Sequence, residues 1–224
     1  MPAPNINFDS MNAKFEHEMI EFPDPNLANE QGLLAVGGDL EPETLLAAYS
    51  QGIFPWYSEE QPVLWWSPDP RMVLFPDEFH CSKRLARRLG QTRYRFSFNE
   101  AFSLVIQACA QIPRKGESGT WILPEMMAAY ERMHVLGHAL SVEVWEGDDL
   151  IGGLYGVLHQ AVFFAESMFS RKTDASKMAL AILVEQAMQQ NWRLIDCQFH
   201  TEHLASLGAR EISRAQFLSV IEPM

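Results

Sequence analysis

A mixed α+β fold is predicted by three observations on the sequence. Helix and strand periodicities follow one another as α-β-β-β-α-β over residues 124–198, an acidic and turn-rich stretch precedes them, and prolines 62, 68, 70 and 76 cluster between the two parts. The expected architecture is a small N-terminal domain over 1–70 and a mixed-sheet domain over 71–224, with antiparallel hairpins and one helix crossover.

The elements follow in chain order. Asp39 or Glu41, then Pro42 and the apolar Leu45, Leu46, Ala48 and Tyr49, ending at Gly52, predict a short capped helix. A second helix covers about Ser82 to Leu89. A third covers about Asn99 to Gln111, with Phe102, Val105, Ile106 and Cys109 on one face. Pro124 opens a helix that places Met126, Tyr130 and Met133 together and closes at Gly137. Residues 140–146 (LSVEVWE) alternate as a strand, and Gly147-Asp148 turns into a second strand over 150–157. Residues 161–167 form a third. Gly152, Gly153 and Gly156 inside the second strand predict a bulge or a close approach by another backbone or a ligand. Thr173 or Asp174 caps a helix to about Gln190, and RLIDCQ (193–198) is a buried strand.

Composition bounds the class. Of 224 residues, 47% are hydrophobic and 21% charged, the balance of a folded globule. The longest apolar run, Met178 to Val184, is far short of the roughly 20 residues of a bilayer span. MPAPNINFDS lacks the basic-then-apolar order of a secretory signal. Cys81, Cys109 and Cys197 are odd in number and far apart, which fits reduced thiols and a cytoplasmic location.

The net charge of −12 argues against a nucleic-acid partner until its distribution is read. Residues 1–70 hold twelve acids and one lysine, whereas Lys83, Arg84, Arg87, Arg88, Arg93 and Arg95 put six cations into thirteen residues. Screening confines each charge to about 8–10 Å, so a local basic patch on an acidic protein still attracts a polyanion. A solvated helix face is the alternative.

Most motifs are absent: there is no P-loop, G-x-G-x-x-G, G-x-S-x-G or CxxC. His134 and His138 have metal-ligand spacing but no acidic or thiol partner, as does the pair His200 and His203, so no metal site is expected. Polar residues inside apolar strands are more informative. Glu166 follows AVFFA, and Asp196 and Gln198 flank Cys197 after Leu194-Ile195. By alternation 196 and 198 share a face, where a carboxylate and an amide can accept from and donate to a reacting amine and carbonyl. A structural strand-end Asp is the other reading. Trp56, Trp65 and Trp66 lie among the prolines of 52–71, as a rigid core or a stacking wall.

The blocks GLLAVGGDL (32–40), GIFPWY (52–57), LWWSPDPR (64–71), GTWI (119–122), GHALSVEVW (137–145), ESMFSR (166–171), ASKMAL (175–180), IDCQ (195–198) and ASLGA (205–209) resemble, in order and spacing, the bacterial leucyl/phenylalanyl-tRNA–protein transferases. The resemblance covers about residues 30–220. It implies an enzyme that moves Leu, Phe or, less readily, Met from charged tRNA to the α-amine of a protein beginning with Arg or Lys, feeding N-degron degradation. It also implies a small N-terminal domain joined to a domain of the GCN5-acetyltransferase type, no cofactor and no membrane partner; a monomer is expected. By carry-over, Asp196, Gln198 and Glu166 lie at the reacting amine, with Asp196 orienting the amine or accepting its proton and Glu166 nominated to meet the basic side chain. Leu154, Phe163, Met168, Leu183 and Ile195 form the amino-acid pocket, and Trp56 and Trp121 flank the 3′-terminal adenosine. The 83–95 run becomes the tRNA backbone contact, and Thr201 receives no role. Two other readings stay open here: an acyl-CoA-dependent acetyltransferase, which residues 171–176 disfavour by lacking a glycine-rich pyrophosphate turn, and a non-catalytic tRNA-binding protein.

Overall fold

The computed structural model describes residues 21–112 and 122–222. The first part carries a three-stranded antiparallel sheet of β1 (Leu33–Val36), β2 (Phe54–Pro55) and β3 (Leu64–Trp66), in the order β1-β3-β2. Between β1 and β2 lies α1 (Pro42–Ser50), with Pro42 in its first turn. The Asp39 carboxylate accepts from the Thr44 hydroxyl (2.6 Å) and the Glu41 N–H (3.0 Å), while Glu41 at the cap position makes no side-chain cap bond.

The second sheet has seven strands: β4 (Arg71–Leu74), β5 (Tyr94–Phe98), β6 (Ala139–Glu146), β7 (Asp149–His159), β8 (Val162–Ser170), β9 (Leu194–Gln198) and β10 (Arg210–Ile212). Their order is β10-β4-β9-β8-β7-β6-β5. Every neighbouring pair is antiparallel except β8 and β9, which the crossover helix α5 (Ala175–Gln189) joins in parallel. The remaining helices are α2 (Lys83–Leu89), α3 (Phe102–Gln111), α4 (Pro124–Val135), α6 (Glu202–Ala205) and α7 (Arg214–Ile221). The α+β expectation, the antiparallel β6-β7-β8 meander and the single crossover are thus present. The strands of two to five residues in the first half, with β10, are too short for periodicity to mark, and no expectation covered them.

Two apolar cores sandwich the large sheet. On one face, α1, α3, α4 and α7 pack against Val73, Tyr155, Phe164 and Leu194, so the part of the chain from Phe22 to Trp66 shares this core with the sheet. On the other, α5 and Leu85 of α2 cover Met72, Leu154, Phe163 and Ile195. The glycines of β7 serve this packing. A Cβ on Gly152 would lie 2.5 Å from Ala175 Cβ at the start of α5, and one on Gly156 would lie 2.1 Å from the Phe164 carbonyl oxygen, beside a register shift between β7 and β8. The close approach predicted at these glycines is by the chain's own helix and neighbouring strand. His134 stacks on Phe102 (4.2 Å between ring centroids), and no group of three metal-ligating side chains occurs among the described residues.

Candidate active site

Parallel pairing of β8 and β9 runs through Val162–Leu194, Phe163–Ile195 and Phe164–Asp196, and ends there. Both strands break their regular register at this point. In β8, Tyr155 of β7 pairs with Ser167 and Gly156 with Ala165, which leaves Glu166 as the extra residue of a bulge. In β9, Met72 of β4 pairs with Gln198 and Val73 with Asp196, so Cys197 is extra, and Gln198 has a left-handed backbone with φ of 59°. Bulges re-aim side chains and often border active sites. Here two of them stand side by side where parallel strands part.

A cavity of about 230 Å³ opens at that parting. Glu166, Cys197 and Gln198 form its polar wall, and Phe54, Trp56 and Phe199 its aromatic one. Trp56 and Phe199, each 37% exposed, lie 5.3 Å apart by centroids; Trp66 packs on Trp56 at 5.5 Å and donates its indole N–H to the Trp56 carbonyl (2.6 Å). Thr201 and Leu204 close the rim, and the Thr201 hydroxyl caps α6 by accepting from Leu204 N–H (3.2 Å).

Glu166 accepts from the hydroxyls of Tyr49 (2.7 Å) and Tyr130 (2.9 Å), which are 2.6 Å from each other. Burial raises its carboxyl to about 7; the tyrosine hydrogen bonds oppose this, and the nearby Asp196 charge adds to it. The same burial, with the Glu166 charge beside them, holds both tyrosines well above their ordinary range, as neutral donors. Cys197 is pushed up by desolvation and by Asp196, so it stands as a thiol and not as a thiolate nucleophile.

Asp196 differs from its sequence neighbour. It is fully buried, and both of its oxygens receive the Arg71 guanidinium, at 2.8 Å from Nε and 2.7 Å from Nη2. Arg71 is equally buried. It donates to the Gly52 carbonyl (3.0 Å) and lies over the rings of Phe54 and Phe217 at 4.7 and 4.4 Å. Asp196 Oδ1 also accepts from the Gln198 backbone N–H (3.1 Å), which holds the left-handed turn. Alternation put residues 196 and 198 on one accessible face. Both lie on the Phe54 side of the sheet, but Gln198 reaches the cavity while Asp196 is sealed against Arg71. Gln198 Nε2 is buried with no hydrogen-bond partner.

The other sequence candidates distribute as follows. Trp56 lines the cavity, and Trp121 lies outside the described residues. Leu154, Phe163, Leu183 and Ile195 are fully buried in the α5-side core, with Met168 packed at its partly exposed edge, and none of the five lines the cavity. Cys197 belongs to both the cavity wall and that core. In the basic run, Arg84 and Arg88 pair with Asp174 (3.0 and 2.9 Å), Arg93 with Glu146 (3.2 Å) and Arg95 with Glu100 (2.6 Å). Lys83 and Arg87 extend from the exposed face of α2. Of the two expected caps of α5, Thr173 and Asp174, the second holds the cap position but makes no side-chain cap bond and serves these arginines instead. Sequence reasoning missed Phe54, Phe199, Arg71, Tyr49 and Tyr130. Arg71 carried a usable signal, as a cation opening the apolar strand RMVL; Tyr49 and Tyr130 read as ordinary apolar helix positions.

A cleft between parted parallel strands, with an acid–base group on one wall, an open amide donor beside it and an aromatic platform opposite, is the equipment of a group-transfer enzyme. Comparison with known proteins gives the family. The family model described as leucyl/phenylalanyl-tRNA protein transferase matches residues 73–222, and that for its N-terminal domain matches residues 38–69. The chain is 57% identical over 200 residues to the leucyl/phenylalanyl-tRNA–protein transferase of Anaeromyxobacter sp. (strain Fw109-5), covering 89% of this chain and 85% of that one. It is 54% identical over 204 residues to the protein of the same name from Syntrophobacter fumaroxidans, covering 91% and 87%. Among solved structures it is similar to a GCN5-related N-acetyltransferase from Kribbella flavida, with a TM-score of 0.40 and 8% identity over 77% of this chain and 61% of that one. The chain belongs to the leucyl/phenylalanyl-tRNA–protein transferase family. It is an aminoacyltransferase, with aminoacyl-tRNA as donor and a protein as acceptor. No helix among the described residues is long and apolar enough to cross a membrane.

Proposed function

We propose that this chain transfers Leu, Phe and, less readily, Met from the 3′ end of charged tRNA to the α-amine of proteins that begin with Arg or Lys, marking them for N-degron degradation. The observation that carries the site assignment is the partnerless Gln198 Nε2 in the same cavity as Glu166. A buried donor without a partner calls for one, and the ester carbonyl of the donor supplies it.

The donor ester is already activated, so the enzyme's work is positioning and proton handling. The acceptor nitrogen bonds to the ester carbonyl carbon, and the bond from that carbon to the ribose 3′ oxygen breaks. Glu166, whose carboxyl burial raises to about 7, takes the proton that nitrogen loses and returns it to the departing ribose oxygen. Tyr49 and Tyr130 aim that carboxylate. Asp196 acts through Gln198 as a positioning residue, because Arg71 already occupies both of its oxygens. The terminal adenine stacks on Trp56 and Phe199, whose exposed rings suit a base. The acyl side chain passes Cys197 into the cluster of Leu154, Phe163, Met168, Leu183 and Ile195. The basic run of Lys83, Arg84, Arg87, Arg88, Arg93 and Arg95 faces the tRNA backbone, and the acidic surplus of residues 1–70 suits a cationic acceptor. With this reading goes a division near residue 70 into a small N-terminal and a larger catalytic domain, tied together by Arg71 through its bonds to Gly52 and Asp196. The enzyme acts as a monomer.

The test is transfer of labelled Leu or Phe from charged tRNA to a model protein initiated by Arg, Lys or Ala. Label on the first two, lost on ribonuclease treatment of the donor, is the expected result. Equal labelling of the Ala-initiated protein, or labelling that survives ribonuclease, removes the reading.

A further inference from the structure

A second cleft, of about 530 Å³, lies beyond the end of β8, between the turn into α5 and the strands β5 and β6. Arg88, Arg93, Arg171 and Lys172 wall it, and Glu146 is its one acid. Glu146 is already matched, by Lys172 and by Arg93 at 3.2 Å. Four cations against one carboxylate leave a surplus of three positive charges in the cleft. Counting the neighbouring Asp174 and its partner Arg84 leaves the surplus unchanged, and Asp149, whose charge also acts on Lys172, lowers it to two.

The cations are held and not splayed at random. Tyr94 is buried, and its hydroxyl accepts from Arg93 Nη2 (2.7 Å) and Arg88 Nη1 (3.4 Å). Arg93 also lies 4.6 Å over the Tyr94 ring. Arg171 lies over the Phe169 ring at 5.4 Å and donates from Nη1 to the Leu150 carbonyl (3.0 Å). The Lys172 ammonium has three donors, one of them facing Glu146. Preset guanidinium and ammonium groups around an open cleft fit phosphate oxygens.

We propose that this cleft is a phosphate-binding site for the sugar–phosphate backbone of the tRNA donor, with Arg171 and Lys172 as contacts additional to the basic run of residues 83–95. The inference rests on the proposed seating of the tRNA 3′ end in the aromatic cavity. Glu166 lies in β8 and Arg171 directly follows its last residue, five positions on and roughly 16 Å along the extended chain. An RNA strand whose terminus sits at Glu166 therefore meets the cleft after a few nucleotides. The exposed Lys83, Arg84 and Arg87 of α2 continue the positive surface from Arg88 outward.

The test is tRNA affinity as a function of salt, read by fluorescence anisotropy, for the unchanged protein, Arg171→Gln/Lys172→Gln and Lys172→Gln. Each phosphate contact removed should flatten the slope of log affinity against log salt by about 0.7–0.9. The double variant should bind intact tRNA several-fold more weakly at low salt, to a similar extent for different tRNA sequences. A 3′-terminal trinucleotide, too short to reach the cleft, should keep its affinity in both variants. The Lys172 side chain is half exposed, so Lys172→Gln keeps the test decisive if the double variant fails to fold. An unchanged slope in Lys172→Gln overturns the cleft, whatever the transfer assay gives. A flattened slope together with trinucleotide binding indifferent to Trp56→Ala overturns the cavity seating and leaves the cleft as a phosphate site.

Discussion

The two faces of the seven-stranded sheet bury their side chains differently. Under α5, the face is packed with Leu154, Phe163, Leu183 and Ile195, and no charged side chain is buried there among the described residues. Under α1, α3, α4 and α7, the face holds the buried Arg71 and Asp196 as a pair. It also holds Glu143, bonded by the hydroxyls of Ser97 and Ser141, and Glu166 between two tyrosines. The α5 face buries no charge: the buried polar side chains of α5, Ser176 and Gln186, are neutral. The other must supply a partner for every charge, because an unpaired buried charge is prohibitively costly. Its one unmatched polar atom at the site, Gln198 Nε2, sits where the strands part. The difference teaches that chemistry enters this fold where strand regularity is interrupted.

The largest effect that would break this contrast is at Arg71. Arg71→Leu leaves the Asp196 carboxylate buried and unpaired, and urea unfolding should show a loss of about 3–5 kcal/mol. Arg71→Leu/Asp196→Leu should recover most of it; a loss below about 1 kcal/mol in the single variant would mean the pair is not buried as described. Leu183→Ala on the apolar face should cost about 2–5 kcal/mol by cavity formation. If the cluster also receives the acyl side chain, its Leu-to-Phe transfer ratio should move toward Phe, and an unchanged ratio reduces the cluster to packing. Gln198→Ala should lower kcat for transfer by about 10²-fold, with a smaller change in tRNA affinity; equal losses in both would assign Gln198 to binding.

Glu166 tests the polar face by pH. Its carboxyl titrates at about 7 in the folded chain against 4.5 ordinarily, so between these values the folded protein binds more protons than the unfolded one. Stability from this group is therefore full below about pH 4.5 and declines as pH rises through 7, by up to about 3 kcal/mol. Glu166→Gln should flatten that decline in thermal melts. It should also abolish the rise of transfer rate through pH 7; a rate profile that keeps its inflection near 7 in this variant assigns the proton elsewhere. Trp56→Ala is the mildest, an approximately tenfold loss of tRNA affinity from one base stack. A tRNA affinity unmoved by that change takes the adenine off the aromatic wall.

Much of the large sheet was legible in the sequence. The long periodic segments that became α3, α4, β6, β7, β8, α5 and β9 each carry their own pattern, and Pro42, Pro124 and the turn at Gly147 mark ends that the chain uses. Glu166, Gln198 and Trp56 stood out as polar groups in apolar strands or as clustered indoles, and they do converge on one cavity. Phe199 did not stand out, because nothing local distinguishes a half-exposed ring from a loop residue. Alternation gave no sign that Asp196 would be sealed by Arg71, a partner that β4 brings from distant sequence.

By itself the sequence determined the class of fold and the family, and it marked Glu166, Asp196 and Gln198 as polar residues in apolar strands, because periodicity, caps and motif blocks are properties of contiguous chain. Only the tertiary structure decided what each polar residue does. Arg71 and Asp196 lie far apart in sequence and meet because β4 and β9 are neighbours in the sheet. Tyr49 and Tyr130 reach Glu166 because α1 and α4 cover the same bulge. Whether a carboxylate is sealed in an ion pair or left to titrate near neutrality depends on burial and on partners brought from distant segments, and no local pattern encodes either.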